Sequence, residues 1–175
     1  MAREAHTFMF ADISGYALLT ERDGDEAAAE IALRFVDKAM DLAPGYRAEV
    51  IKCLGDGVML RSSDAAETVR LGLDLLADCA EDPSLPPLHI GMHTGPAVER
   101  AGDWWGATVN IAARVAAAAE AGQLLVTKAT TLAAGEMRSA RLASIGRLRL
   151  KNINAPITVY AASRAGAMTP VLEAG

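Results

Sequence analysis

Apolar and polar positions along this chain fall into blocks of two periods, one suited to strands and one to helices. His6 to Ala11 is a β-compatible run and predicts a first strand. Asp23 with Glu26 three residues later is a capping-box signal, and it predicts a long Ala-rich helix to about Leu42, stopped by Pro44-Gly45. Tyr46–Cys53 and Val58–Arg61 predict two strands joined as a hairpin by Gly55-Asp56-Gly57. Asp64 with Glu67 predicts a second cap. Behind it Ala65, Val69, Leu73, Leu76 and Ala80 keep the spacing of a buried helical stripe. Pro83, Pro86 and Pro87 break the chain before a strand at Leu88–His93. Gly95–Gly106 reads as a loop or short ribbon, and Thr108–Ala119 as a helix ending at Gly122. A strand at Gln123–Thr127, a brief helix, and late strands at Arg138–Leu150 and Ile157–Ala162 complete the pattern. The expectation is one α+β domain over residues 1–162, a mostly antiparallel sheet with helices on one face, and a flexible tail over 163–175.

Composition narrows the class. With 175 residues, 51% apolar and 22% charged, the chain can bury a real core. The net charge is −5 and Lys and Arg form no stripe, so no nucleic-acid partner is expected. The N-terminus lacks a signal-peptide pattern, and charges interrupt every long helical segment, so no membrane span is expected. Cys53 and Cys79 read as reduced, buried thiols of a cytoplasmic protein.

Asp12 and Asp56 carry the chemistry that the pattern leaves over. Each follows an apolar strand and has glycine close by. A single such Asp is an ordinary turn residue. Two of them at strand ends can hold hard divalent cations, which handle phosphates. Lys52 stands four residues before Asp56 inside an apolar strand, where it needs a solvated face or a partner. Asn110 and Arg114 share one face of a helix otherwise built of Ala, Val and Ile. A planar, permanently charged guanidinium there suits a phosphoryl group. Asp103 precedes Trp104-Trp105, a pair suited to an interface. Lys151 ends a late strand, and His6, His89 and His93 lack metal-ligand spacing and read as structural.

These segments together resemble the catalytic domain of class III adenylate/guanylate cyclases. FADISGY, VIKCLGDGVML, GMHTGPAV, GDWWGATVNIAARVA and RLRLKNINAPITVYA are similar to the family's motifs in order, across about residues 6 to 162. The resemblance implies the ferredoxin-like palm fold. It also implies that Asp12, Asp56 and the carbonyl of Ile13 hold two cations, Mg²⁺ or Mn²⁺. Amides around Ser14, Gly15 and Tyr16 would meet the triphosphate at a helix N-terminus. Lys52 and Asp103 would read the base, Asn110 would orient the ribose, Arg114 would neutralise the reacting phosphate and Lys151 would contact the terminal phosphates. Lys151 is followed by Asn152 where the family usually has Gly, and Asn tolerates a left-handed backbone.

A Lys donor and an Asp acceptor match the N1 and exocyclic amine of adenine, whereas guanine reverses both demands. ATP is therefore the expected substrate. The expected reaction is two-metal-assisted attack of the ribose 3′-hydroxyl on the α-phosphate, giving 3′,5′-cyclic AMP and pyrophosphate. In the family, sites form between two domains, so the resemblance implies a head-to-tail homodimer with two equivalent sites. Two alternatives stay open: a nucleotide-binding regulatory module without turnover, and another two-metal palm enzyme such as a diguanylate cyclase or polymerase. The latter lack the Lys/Asp reader and the Asn/Arg helix pair.

Overall fold

Strand β1 (Ala5–Ile13) is buried along almost its whole length, because it lies inside the sheet with side chains packed on both faces. The computed structural model describes residues 4–166. Seven strands form the main sheet in the order β2-β3-β1-β4-β7-β9-β8. The first half pairs β1 with β3 (Gly57–Ser62) and β4 (Leu88–Pro96), and β3 with β2 (Ala48–Cys53), all antiparallel. This is the ferredoxin-like arrangement. Strand β7 (Leu124–Thr127) joins β4 in parallel, and β9 (Ile157–Arg164) and β8 (Ala140–Leu148) extend the sheet antiparallel. Strands β5 (Val98–Arg100) and β6 (Asp103–Trp105) make a separate ribbon within the expected 95–106 segment.

Helices cover both faces of the sheet, which corrects the expectation that they share one. Alternation along β1 sends Met9, Ala11 and Ile13 into a core with α2 (Asp25–Leu42) and α3 (Ala65–Ala80). It sends Phe8 and Phe10 the other way, onto Val109, Ala112 and Ala116 of α4 (Ala107–Ala118). Gly91 sets how closely α4 sits. A Cβ there would stand 2.0 Å from the backbone nitrogen of Ala116. Helix α5 (Lys128–Ala134) follows β7, with Thr127 as its N-cap.

Several boundaries differ from the sequence expectation for local reasons. The expected long helix is α2, which starts at Asp25 because Gly24 at φ 88° is its cap, and a further helix, α1 (Tyr16–Asp23), ends at that same glycine. Asp23 therefore caps nothing, and its carboxylate takes the Arg22 guanidinium at 2.6 Å. Strand β2 starts at Ala48 rather than Tyr46, because Ala43–Tyr46 is a 3-10 turn and Arg47 is left-handed at φ 54°. The second cap forms as expected, with Asp64 accepting the Glu67 N–H at 3.0 Å. Strand β9 runs to Arg164, pairing Ser163 with Arg141 and Arg164 with Ala140. The expected tail beyond residue 166 lies outside the described residues. Cys79 is buried, and burial pushes its thiol up to about 11. Cys53 is exposed rather than buried, since it ends β2 at the rim of the sheet. Among the described residues, no helix is long and apolar enough to cross a membrane.

Candidate active site

The β1–β3 pairing brings the two carboxylates to adjoining strand ends. Asp12 lies opposite Gly57, and the Ile13 N–H donates to the Asp56 carbonyl at 3.1 Å. A Cβ on Gly57 would stand 1.8 Å from Asp12 Oδ1, so that carboxylate occupies the room glycine leaves. Burial pushes the Asp12 carboxyl above the usual carboxylate range. His89 pulls it down and Asp56 adds to the rise. Nothing in the sequence marks His89 as part of a site, yet β4 places it opposite Asp12, with Nε2 3.9 Å from Oδ2. A one-residue reading of its spacing to cysteines gave no hint of this, because the contact depends on strand register. Two carboxylates gathered under desolvation, Asp12 and Asp56, are a donor set that fits a hard divalent cation.

The phosphate loop differs in one particular. The Ser14 N–H already donates to the Pro87 carbonyl at 2.8 Å, so it is not free for an anion. Gly15 caps α1 in a left-handed conformation at φ 72° without any side-chain cap. The N–H groups of Tyr16 and the residues after it start that helix.

A second group of residues sits on the α4 face of the sheet, on β2 and at the start of β6. Lys52 lies on β2 beside Met59, whose side chain belongs to the α4 face. A bulge between Val50 and Lys52 sets that placement. Lys52 Nζ donates to Asp103 Oδ2 at 2.6 Å, and the Trp104 N–H donates to Asp103 Oδ1 at 2.8 Å. Those two bonds, Lys52 first, hold the Asp103 carboxyl below the usual range, so it is an anionic acceptor at neutral pH. Phe10, Lys52, Leu54, Trp104, Trp105 and Asn110 line one cleft of about 290 Å³. Trp105 is 58% exposed at its mouth, with Lys52 Nζ 5.8 Å from the ring centroid.

Arg114 belongs to neither group. It shares with Asn110 the exposed face of α4, opposite the buried stripe of Thr108, Ala112, Val115 and Ala116. Asn110 reaches the rim of the cleft with Phe10 and Lys52, whereas Arg114, exposed one turn further on, is not among the residues that line it. Lys151 is exposed in the turn after β8, which the Ile153 N–H closes on the Leu150 carbonyl at 3.1 Å. Asn152 is left-handed there at φ 63°, the conformation that a Gly would otherwise supply. His93 is held by Thr127 Oγ1 at 2.7 Å, and burial lowers its pKa to about 4.

This strand order is that of a nucleotidyl cyclase palm. The chain belongs to the family described as the adenylate and guanylate cyclase catalytic domain, whose pattern matches residues 2–163. It is 34% identical over 167 residues to a pH-sensitive adenylate cyclase of Mycobacterium tuberculosis, covering 93% of this chain and 42% of that protein. It is 34% identical over 117 residues to an adenylate cyclase of Streptomyces griseus, covering 67% of this chain and 29% of that protein. The chain thus spans less than half the length of these relatives. Among solved structures, an adenylate cyclase from Trypanosoma brucei superposes with a TM-score of 0.83 at 19% identity, covering 91% of this chain and 88% of that one. A guanylate cyclase domain from Catenaria anguillulae, in complex with GTP, reaches 0.82 at 15% identity, covering 94% and 98%. Fold alone therefore does not choose the purine.

Proposed function

We propose that this chain is an adenylate cyclase domain converting ATP to 3′,5′-cyclic AMP and pyrophosphate, at sites shared by two copies arranged head to tail. The carrying observation is the Lys52–Asp103 pair at 2.6 Å, whose lysine lines one cleft with Asn110. Lys52 offers a donor to adenine N1, and anionic Asp103 accepts from the exocyclic amine. Guanine would set its carbonyl against Asp103 and its N–H against Lys52, leaving buried polar groups unpaired.

Asp12, Asp56 and the Ile13 carbonyl would hold the two cations, which when bound supply acidity to the ribose 3′-hydroxyl and charge to the leaving phosphates. Asn110 orients the ribose for in-line approach. The 3′-oxygen bonds to the α-phosphorus as the α–β bridging bond breaks. The hydroxyl proton passes to water or substrate, since none of the described residues given a role here is a general base. Arg114 stabilises charge on the phosphoryl oxygens, while Gly15, Tyr16 and Lys151 receive the departing pyrophosphate. The free thiols suit a reducing, cytoplasmic setting.

The test is incubation with ATP or GTP, each with Mg²⁺ or Mn²⁺, followed by mass analysis of products. Cyclic AMP with pyrophosphate is expected, well ahead of cyclic GMP. Replacing the reader (Lys52→Glu with Asp103→Gly) is expected to lower the ATP/GTP preference by roughly 100-fold. A dinucleotide product, or none, would reject the reading.

A further inference from the structure

Trp104 is a partition between two cavities. One side of it lines the purine cleft. The other borders a separate polar cavity of about 520 Å³, whose walls include Glu4, His6, Glu49, Arg61 and Glu99. The indole is gripped from that second side. His6 meets it edge to face at 4.6 Å, Phe8 stands 5.6 Å away, and the Arg61 guanidinium lies 4.8 Å from its centroid. Arg61 Nη1 donates to Glu49 Oε1 at 2.9 Å, and Nη2 lies 2.7 Å from His6 Nδ1. Arg61 Nε is buried with no partner among the described residues.

The hydrogen-bond roles follow from chemistry. A guanidinium only donates, so His6 Nδ1 must accept, and the ring is neutral with its proton on Nε2. His6 is 5% exposed. The backbone N–H of Trp104, not its indole, donates to Asp103 Oδ1, while Lys52 takes Oδ2, so the link from the gripped ring to Asp103 runs through the main chain of residue 104. Whatever fixes Trp104 therefore fixes the acceptor that reads the purine.

We propose that His6 and Arg61 are positioning residues for purine recognition, clamping Trp104 from behind and so holding Asp103 against Lys52. This rests on the cyclase reading above. The clamp has a built-in release. A proton on His6 Nδ1 removes Arg61's acceptor and sets an imidazolium against a guanidinium. The charged groups facing His6 are Arg61 from β3, Glu4 beside β1, Glu49 from β2 and Glu99 from β5. The three carboxylates favour protonation. Burial, then Arg61, outweigh them and hold His6 below the usual histidine range. The clamp is thus closed at neutral pH and opens on acidification. Opening weakens base recognition and raises KM for ATP, while kcat, set at the phosphates, changes little.

The test is steady-state kinetics of the wild type, His6→Gln and Arg61→Met between about pH 5 and about pH 8. Gln keeps an acceptor for Arg61 and does not titrate. His6→Gln is expected to match the wild-type KM within about threefold at the alkaline end and to lack about fivefold of the acid-side rise. Arg61→Met is expected to raise KM for ATP about tenfold and to lower the ATP/GTP preference comparably, with kcat within about threefold. Wild-type acid behaviour in His6→Gln, or unchanged KM and preference in Arg61→Met, would overturn the proposal. Should Arg61→Met not fold, NMR of the wild type decides. The Trp104 indole N–H resonance must move with the His6 imidazole at one shared midpoint, and independence of the two overturns the clamp. A wild type making no cyclic AMP would reject the cyclase reading instead, leaving the NMR test in force.

Discussion

Gly57 shows how one missing methyl group shapes the cation site. Its neighbour Gly55 is glycine for the backbone, at φ 77°, whereas Gly57 is glycine for space. The Asp12 carboxylate fills the volume a Cβ would take. Gly57→Ala therefore displaces Asp12, whereas a substitution on a merely tight turn would not. Asp12 is also a liability to the fold, since burial and Asp56 both disfavour its charge. Asp12→Asn is expected to raise the cation-free Tm by about 2 °C, because an amide carries no such penalty. Thermal melts with and without Mn²⁺ check both statements. The wild type is expected to gain several degrees from Mn²⁺ with an unreactive ATP mimic, and Gly57→Ala and Asp12→Asn to gain little. An undiminished Mn²⁺ response in Gly57→Ala would show that the carboxylate does not need that room.

At the scale of elements, α4 decides where Asn110 and Arg114 stand, and Gly91 decides where α4 stands. The backbone of Ala116 sits where a Cβ of residue 91 would be, and Thr108 Oγ1 would be 2.8 Å from a Cβ on Gly95. Backbone gives way poorly, so Gly91→Val is expected to cost about 3 kcal/mol or more in denaturant unfolding. If it still folds, it should lose turnover more than Gly95→Ala does, since it lifts the whole helix. Equal turnover in Gly91→Val would separate the helix from the chemistry. The existence of α4 was legible in the sequence, because its apolar positions keep helical period and Gly122 follows. Its side of the sheet was not, because periodicity says that a face is buried without saying against what. The cap of α2, and α1 ahead of it, were hidden for a related reason. Gly24 lies inside an apparent capping box, and a positive φ leaves no trace in residue type beyond the glycine itself. That Lys52 and Asp103 meet was expected only through the resemblance to the family's motifs, while the contacts of His89, His6 and Arg61 were not expected at all. Their roles depend on strand register and on which residues flank Trp104, and these are long-range facts.

At the scale of the whole molecule, the question is why one chain carries two donor sets that do not converge. Asp12 and Asp56 lie at strand ends on the sheet, whereas Arg114 faces outward from the helix laid over it. A single copy would have to unseat α4 to bring Arg114 to a phosphate held at Asp12, against the close contact at Gly91. A second copy can offer its own α4 face without any such movement, and a two-fold axis then makes two equivalent sites. Asp56→Ala and Arg114→Ala are accordingly each expected to be inactive alone, since each spoils both sites of its homodimer. Mixed in equal amounts with full exchange, half of the dimers are heterodimers. Each of those holds one site with both residues intact and one with neither. Recovery of about a quarter of wild-type activity is therefore expected, rising and falling with the heterodimer fraction measured by native mass spectrometry. A heterodimer present in that proportion yet inactive would mean that cations and guanidinium serve the same phosphate from within one chain.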